Sequence, residues 1–439
     1  MSAPELCDRL AHRLREAQTE QRLPSVAAAV FRRNEILWQD AHGFADVGAQ
    51  RVTSPETQYR IGSITKTFTA VLVLQLRDAG ELSLDDPLTD VVPESAHAPT
   101  LGRMLAHASG LQREPPGEIW ETMRLPSREE LVAGTADAEQ LLAPGSWWHY
   151  SNLAYALLGE VVARKTGGSW EDALRERVLE PLELARTTPI AEEPAALGYY
   201  VEPYSDAVRL EPEPDLGGSG ALGKLWSTVR DLAAWGSFLV TGDDRVLSAG
   251  TLEEMSHVRA MVDHERWTLA WGTGLELYRS GDHVFVGHGG AMPGHLAGLV
   301  VNRTTGIGAV VLTNTSAGGR PEALALDLAK EAIDALPSEP DGWRPGEAAP
   351  EDVQALLGRW WSEGSELVVS WRGGRLEARL VDGPPGRETS YLERLDADRW
   401  RCVEGRERGE LLRVVRAADG SVEKMYFATY PLRREPSTF

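Results

Sequence analysis

The fold is decided by one stretch of the chain, Arg60-Ile-Gly-Ser63-Ile-Thr-Lys66-Thr-Phe-Thr-Ala-Val-Leu-Val-Leu-Gln-Leu76. A long apolar run begins at Phe68 and ends just before Asp78-Ala-Gly80, which predicts a buried helix with a glycine stop. Ser63 stands where this helix begins, and Lys66 follows one turn later. Residues three apart share a helix face, with Cβ atoms about 5–6 Å apart. The two side chains are therefore predicted to meet.

Ser63 and Lys66 have the chemistry of a nucleophile and its base. A serine hydroxyl attacks well only when a base removes its proton. A lysine buried against the helix loses part of its charge and becomes such a base. The helix N-terminus adds backbone N–H donors that hold an oxyanion. The spacing alone is weak, because serine is also a common helix N-cap.

A second Ser-x-x-Lys, Ser421-Val-Glu-Lys424, lies in a different context. It follows the turn signal Asp419-Gly420 and leads into Met-Tyr-Phe427, a pattern typical of a strand. Side chains three apart on a strand point to opposite faces. We therefore predict that these two groups do not cooperate, and that context rather than spacing singles out Ser63.

Composition and charge argue against several classes of function. The chain has 439 residues, 42% of them hydrophobic, enough for a large folded domain and a smaller one. Its net charge of −21 argues against a nucleic-acid partner. Cys7 and Cys402 lie at opposite ends, form no disulfide framework and have no metal-site spacing around them. The sequence predicts neither a metal nor a cofactor.

No segment of the chain is predicted to enter a membrane. The N-terminus, residues 1–14, lacks the long apolar region of a signal peptide. The sequence also lacks an apolar run of about 18 residues, the length that crosses a bilayer. We therefore expect a soluble, cytoplasmic protein without a membrane partner.

The first part of the chain mixes helical and extended patterns. The predicted elements are a helix over 4–18, a hairpin over 26–38, helices over 101–107, 153–163 and 228–239, strands over 283–287, 295–302 and 307–312, and a helix over 321–336. We expect one domain over residues 1–337.

A second, smaller domain is expected after a linker. Residues 338–350 are rich in Pro, Gly and Glu, which is typical of a linker. Residues 351–439 carry short alternating runs separated by turns, which predicts a small all-β domain, either a sandwich or a barrel. We expect this domain to fold separately and to take no part in the chemistry.

Two further motifs follow Ser63 in chain order. Tyr150-Ser-Asn152 lies on a turn that leads into a helix. Tyr relays a proton when a nearby cation lowers its pKa, and Asn donates to a substrate carbonyl and accepts from a lysine. His288-Gly-Gly290, followed by Ala291, comes after a strand, and its glycines let a substrate approach the backbone closely.

Two other candidates have structural explanations. Lys165-Thr-Gly167 is a Lys-Thr-Gly sequence, but it ends a helix, where Lys and Gly are favoured on structural grounds. His107 stands at another helix end, and a single histidine there is more often a packing or capping residue than a base. We assign catalysis to neither.

Taken together, the three motifs resemble the serine β-lactamase and DD-peptidase superfamily, and specifically the serine hydrolases related to class C β-lactamases. That family carries Ser-x-x-Lys, Tyr-x-Asn and a Lys/His-Thr/Ser/Gly-Gly motif in this order. The resemblance covers about residues 20–335. It implies an α/β fold of the β-lactamase type, with an antiparallel sheet flanked by helices and a separate helical region. The domain after residue 350 resembles the lipocalin-like β extension of some members.

The resemblance also implies roles for the motif residues. Ser63 would be acylated, with Lys66 and Tyr150 as base and proton relay in an order that the sequence leaves open. Asn152 would position the substrate, and the N–H groups of Ser63 and Ala291 would form the oxyanion hole. The substrate would be a small ester, an amide or a short peptide, as for an esterase, a D-amino-acid peptidase or carboxypeptidase, or a β-lactamase.

The third motif departs from the β-lactamase pattern. There a lysine and a threonine hold the substrate carboxylate, whereas this chain has His288, which is mostly neutral near pH 7, and Gly289, which has no hydroxyl. The departure favours an esterase or small amidase.

The sequence admits three other interpretations. A metallohydrolase built on His283, His288 and His295 is disfavoured, because their spacing does not share a helical face. An α/β-hydrolase is disfavoured because Gly217-Gly-Ser-Gly-Ala221 lacks the last glycine of Gly-x-Ser-x-Gly. A catalytically inactive penicillin-binding-like protein of the same fold is the remaining alternative.

Overall fold

The computed structural model describes residues 3–336, 343–383 and 389–436. The chain divides into two compact units, Met1–Ser338 and Glu339–Phe439. Part of the predicted linker, residues 338–342, lies outside the described residues. The rest of it, residues 343–350, has no regular secondary structure.

An antiparallel sheet of nine strands forms the centre of the first unit. Its strand order is β3-β2-β1-β13-β12-β11-β10-β9-β8, and two short pairs, β4–β7 and β5–β6, lie outside it. The strands are β1 (Ser25–Arg32), β2 (Glu35–Asp46), β3 (Arg51–Val52), β4 (Tyr59–Arg60), β5 (Tyr199–Val201), β6 (Val208–Leu210), β7 (Trp226–Ser227), β8 (Ala260–Met261), β9 (Leu269–Trp271), β10 (Glu276–Ser280), β11 (His283–Met292), β12 (His295–Asn302) and β13 (Ile307–Thr313).

Ten α-helices accompany these strands in the described part of the first unit. They are α1 (Ala3–Glu20), α2 (Thr65–Asp78), α3 (Leu101–Leu105), α4 (Ile119–Thr122), α5 (Arg128–Ala133), α6 (Asn152–Thr166), α7 (Trp170–Leu174), α8 (Val229–Thr241), α9 (Ala249–Met255) and α10 (Pro321–Ala335). The predicted helices are all present. The one expected over 101–107 ends earlier, at Leu105, because His107 has a left-handed backbone, with φ 53°.

The apolar run of β1 explains why the sheet has helices on both faces. Successive side chains of a strand point to opposite faces. Ala27, Ala29 and Phe31 lie in the core shared with α2 and α8, whereas the alternate residues, 26, 28 and 30, lie in the core shared with α1 and α10. Both faces of β1 are therefore buried, as its continuous apolar sequence requires.

The helix α2 is buried on nearly every side, as its apolar run predicts. Phe68 stacks on Trp235 of α8, with ring centroids 3.8 Å apart. The hydroxyl of Thr67 accepts a hydrogen bond from the Trp235 indole at 2.9 Å, so this buried polar group is satisfied. The helix ends at Asp78, and Gly80 follows with φ 73°, which confirms the predicted glycine stop.

The strand β11 is longer than the sequence pattern predicts. It continues through the third motif to Met292, although β10 pairs with it only as far as the Glu276–Gly287 pair. Residues 288–292 therefore pair with β12 on one side and extend beyond the start of β10 on the other. The glycines keep the extended conformation and leave room for backbone to approach.

The second unit is an eight-stranded antiparallel meander with its own core. Trp361 of the first strand and Arg433, which directly follows the last strand, exchange backbone hydrogen bonds of 2.8 and 3.0 Å. These bonds make the sheet a nearly closed barrel. Its elements are α11 (Glu351–Gln354), β14 (Gly358–Ser362), β15 (Ser365–Arg372), β16 (Arg375–Leu380), β17 (Ser390–Arg394), β18 (Arg399–Glu404), β19 (Leu411–Arg416), β20 (Val422–Phe427) and β21 (Tyr430–Leu432).

The fold class is thus the predicted one, an α/β unit of the β-lactamase type followed by an all-β unit. Of the two all-β architectures expected, the barrel is the observed one. Across the three described ranges, every helix is too short or too polar to cross a bilayer.

The first unit should fold without the second. Each sheet is built from strands of one unit only, and each unit has a separate hydrophobic core. We expect a chain ending at Leu336 to melt cooperatively, with a midpoint within about 5 °C of the first unit's transition in the full chain, equivalent to roughly 1–2 kcal/mol.

Circular dichroism and calorimetry of the two chains measure this. If the shortened chain shows no cooperative transition, the barrel contributes to the stability of the first unit and the division at residues 337–350 is not a domain boundary.

Candidate active site

The hydroxyl of Ser63 lies beside the amine of Lys66. Ser63 is half-buried in a single 3₁₀ turn, Gly62–Ile64, directly before α2. Lys66 lies in the first turn of α2, and its Nζ donates hydrogen bonds to Ser63 Oγ at 2.9 Å and to the carbonyl of Leu222 at 2.6 Å. The predicted contact between the two side chains is therefore present.

Lys66 is completely enclosed by the protein. Its side chain is 0% exposed, and its Nζ lies 5.1 Å from the ring centre of Tyr150 and 5.6 Å from that of Tyr155. Burial lowers the pKa of Lys66 to about 7, and the negative charge of Glu114 opposes this effect. At neutral pH a substantial fraction of Lys66 is thus an uncharged amine with a free electron pair.

The ring of Tyr150 packs against the amine of Lys66. Burial raises the pKa of its phenol above the usual value, and a hydrogen bond with Ser63 acts in the opposite direction. The phenol consequently keeps its proton at neutral pH. This differs from the expectation that a nearby cation lowers the pKa of Tyr150, because desolvation outweighs the lowering effect of Arg113.

Asn152 makes a different contact from the one expected. Its Nδ2 donates to Glu114 Oε1 at 2.7 Å, and its Oδ1 has no hydrogen-bond partner within the described part of the chain. The bonds of Lys66 go to Ser63 and Leu222 instead. The N-cap of α6 is Ser151, whose hydroxyl accepts from the N–H of Ala154, so Asn152 is free of a capping role.

The third motif presents His288 to the same space. The imidazole is 1% exposed, and its ring centre lies 6.4 Å from that of Tyr150 and 5.3 Å from that of Trp271. Burial lowers the pKa of His288 to about 3, with the charge of Lys66 as a further cause. His288 is therefore neutral at pH 7, as the sequence predicts, and brings no positive charge.

A side chain at Gly289 would face away from Ser63. The missing threonine hydroxyl is therefore not a loss from the space beside Ser63, contrary to the prediction from the sequence. An ideal Cβ at Gly289 would lie 2.1 Å from Glu322 Oε1, because successive residues of a strand face opposite sides of the sheet. A threonine at this position would thus meet α10 rather than the space beside Ser63. The N–H of Gly289 donates to Glu276 Oε2 at 3.2 Å.

Gly290 allows β11 to reach the segment that carries Ser63. A Cβ at Gly290 would lie 2.0 Å from the carbonyl oxygen of Ile61, and a Cβ at Gly62 would lie 2.6 Å from the backbone nitrogen of Ala291. Neither contact admits a side chain. Because both Cβ atoms are missing, the backbone of Ala291 lies next to Gly62, the residue before Ser63. Ala291 itself is exposed.

Comparisons with known proteins agree with this arrangement. A family model described as Beta-lactamase matches residues 10–333. The chain belongs to the beta-lactamase family. A second model, described as a domain of unknown function, matches residues 349–434.

Individual relatives support the same assignment. The chain is 32% identical to Penicillin-binding protein 4 of Amycolatopsis lactamdurans over 79% of this chain and 95% of that protein. It is 29% identical to Esterase EstB of Burkholderia gladioli over 75% and 95%. The octameric penicillin-binding protein homologue from Pyrococcus abyssi superposes with a TM-score of 0.66 at 26% identity, over 97% and 99%. The chain is a serine hydrolase of the β-lactamase and DD-peptidase superfamily.

Three residues near Ser63 were not predicted from the sequence. His107 stacks on Tyr150, Glu114 binds Asn152, and Glu276 binds Gly289. Burial raises the pKa of Glu114, and it raises that of Glu276 to about 8. For His107 the sequence offers only its predicted place at a helix end. The two glutamates lie in a loop and at a strand end without any distinguishing pattern.

The candidates set aside in the sequence lie elsewhere. Gly167 ends α6 in the left-handed conformation, and Lys165 donates to the carbonyl of Glu81 at 2.7 Å. Ser421 donates to Asp419 at the start of β20. Within residues 3–336, 343–383 and 389–436, no three His, Cys, Asp or Glu side chains are grouped closely enough to hold a metal ion.

Activity of this family member should rise with pH through about 7. A lysine that serves as general base takes up a proton only in its neutral form, and for Lys66 this is the minor form below its pKa of about 7 and the major form above it. We expect kcat/KM for a neutral p-nitrophenyl ester to follow one ionisation near 7 in a profile from about pH 5 to about pH 9, corrected for spontaneous hydrolysis.

Lys66→Arg removes this ionisation, because a guanidinium stays charged throughout that range. It should be inactive at every pH, whereas Lys330→Arg, the same change on the surface of α10, should leave the profile unaltered. A wild-type profile that is flat across the range contradicts the assignment of Lys66 as the base.

Proposed function

We propose that this chain hydrolyses small, neutral carboxylic esters through an acyl-enzyme formed on Ser63. The observation that carries the proposal is the 2.9 Å contact between Lys66 Nζ and Ser63 Oγ, made by a lysine whose pKa is about 7. A partly neutral amine at hydrogen-bond distance from a hydroxyl is the arrangement that general-base activation requires.

In the first step Lys66 takes the proton of Ser63, and Oγ bonds to the carbonyl carbon of the ester. The carbonyl π electrons move to the oxygen, and the N–H groups of Ser63 and Ala291 hold the oxyanion. Support for this pair comes from the contact of Gly62 with Ala291, which places the two backbone segments side by side.

In the second step the oxyanion collapses, the bond to the alkoxy group breaks, and the alcohol leaves with a proton. Tyr150 is suited to donate that proton, because its phenol is protonated at neutral pH and Lys66 lies beside its ring. Lys66 then returns a proton to the phenolate. Water then attacks the acyl carbon with Lys66 again as base, and the second oxyanion collapses. The bond to Ser63 Oγ breaks, Oγ takes back a proton through Tyr150, and the carboxylic acid is released.

Charge at the site favours neutral substrates over carboxylates. His288 is neutral, and the same burial that raises the pKa of Glu114, and that of Glu276 to about 8, disfavours a substrate carboxylate in this space. Both backbone polar groups of Gly289 are engaged by the protein itself, its N–H by Glu276 and its carbonyl by the His288 ring. A peptide substrate therefore cannot pair with the backbone of Gly289, whereas a short acyl group does not need that pairing.

Arg113 is the cation available to oppose this preference. Its guanidinium lies 5.0 Å from the ring centre of Tyr150, and its Nε lies 3.7 Å from Glu114. The side chain is 65% exposed, so water screens its charge. We therefore assign Arg113 a weak effect on the preference between neutral and anionic substrates.

The cytoplasmic location stays a prediction of the sequence.

Ser63→Ala should abolish covalent labelling and lower kcat by at least about 1,000-fold, because nucleophile and base fail together. The readout is mass spectrometry of the protein after incubation with a fluorophosphonate, together with turnover of a p-nitrophenyl ester. Ser421→Ala is the matched control, since it removes a serine from the other Ser-x-x-Lys, and it should behave as wild type. Labelling that persists in Ser63→Ala would rule out Ser63 as the nucleophile.

Neutral esters should be hydrolysed faster than anionic ones. A charge-assisted hydrogen bond contributes roughly 1.5–3 kcal/mol, so its absence should cost a carboxylate-bearing substrate about 10- to 100-fold in kcat/KM. The measurement compares p-nitrophenyl butyrate with the p-nitrophenyl monoester of succinate, and then with a cephalosporin.

Two variants identify the cause of that preference. His288→Lys should raise kcat/KM for the succinate monoester relative to the butyrate ester, whereas Gly289→Thr should not, because its side chain would meet Glu322. If the wild-type enzyme prefers the anionic ester and Arg113→Gln abolishes that preference, Arg113 is the carboxylate anchor and the proposed specificity is wrong.

A further inference from the structure

His107 has an unusual backbone for a buried, non-glycine residue. It follows the end of α3 with φ 53°, in the left-handed region, and its side chain is 0% exposed. A bulky residue is uncommon in this conformation and persists only where its surroundings hold it there. Such an outlier beside a reactive group calls for a functional explanation.

The contacts of His107 enclose the turn that carries Tyr150. Its carbonyl accepts the N–H of His149 at 2.7 Å, and its ring Nδ1 accepts the N–H of Ser151 at 3.0 Å. The imidazole lies flat on the Tyr150 ring, with centroids 4.1 Å apart and planes 24° apart. One residue therefore holds the backbone on both sides of Tyr150 and the ring of Tyr150 itself.

We propose that His107 is a positioning residue that holds the Tyr150 phenol in place for proton transfer at Ser63. The inference rests on the proposed function, because it assigns Tyr150 a proton-transfer role. His107 need not touch the substrate for this purpose. It limits the movement of the phenol, and a small displacement of a proton donor slows transfer strongly.

The protonation state of His107 suits this role. Nδ1 accepts a hydrogen bond, so the ring proton is on Nε2. Burial and the neighbouring charge of Lys66 lower the pKa of His107 well below its ordinary value. The ring therefore stays neutral and keeps its acceptor toward Ser151 throughout the range in which Lys66 ionises.

His97 provides a matched comparison. It is a half-buried histidine of the irregular segment before α3, and its Nε2 lies 2.8 Å from the carbonyl of Ala138, so its ring too makes one contact with the backbone. It is absent from the ring contacts found around Tyr150. A histidine that only stabilises the fold should behave like His97 when it is replaced.

The test is a double-mutant cycle with Tyr150→Phe, using neutral ester turnover and thermal melting. His107→Phe retains an aromatic ring but loses the acceptor for Ser151, and His107→Asn retains a residue that tolerates positive φ but loses the ring. We expect each to lower kcat by about 10- to 100-fold with KM within about threefold, and His97→Phe to stay within about twofold of wild type.

The decisive comparison is between Tyr150→Phe and the two double variants. If His107 acts through Tyr150, the double variants are no slower than Tyr150→Phe alone, because the group being positioned is already absent. The proposal is wrong if the loss of kcat in a double variant is the product of the losses in its two single variants. It is also wrong if either His107 variant folds and keeps the wild-type kcat. Both results leave the role of Tyr150 intact. Full activity of Tyr150→Phe overturns that role and this proposal together.

Discussion

The first unit depends on keeping one lysine out of water. Lys66 is unexposed, and within the part of the chain that the structure describes its amine bonds to a backbone carbonyl and a serine hydroxyl rather than to a carboxylate. Burying a charged ammonium costs free energy, so the amine of Lys66 is partly neutral. Lys66 stays buried because apolar and threonine side chains hold nearly every side of α2 in the core. The burial that holds α2 in the core therefore also lowers the pKa of Lys66.

Sequence patterns predicted the parts of the structure that are set by local periodicity. The apolar run after Lys66 predicted α2, and the apolar run of β1 predicted a strand. The context of Ser63 separated it from Ser421, because a helix and a strand place side chains three apart differently. The resemblance of the three ordered motifs then supplied the fold, which no single motif specifies.

The remaining features depend on contacts between distant segments. Glu114 and Glu276 carry no local signal, since their importance comes from loops and strand ends that meet beside Lys66 only in the folded chain. The direction of Gly289 could not be predicted while β11 was expected to end at residue 287. The helix expected to end at His107 ends at Leu105, and the stacking of His107 on Tyr150 depends on a turn more than 40 residues later in the chain.

The pairing of β1 with β13 has a consequence for how the protein is synthesised. Val26 pairs with Thr313, so β1 is translated long before the strand that becomes its second sheet neighbour. At about 5–20 residues per second, a ribosome needs roughly 15–60 s to cover that interval. Until then β1 has only β2 as a sheet neighbour. Throughout that interval the nascent chain therefore has an open strand edge, to which another strand can pair.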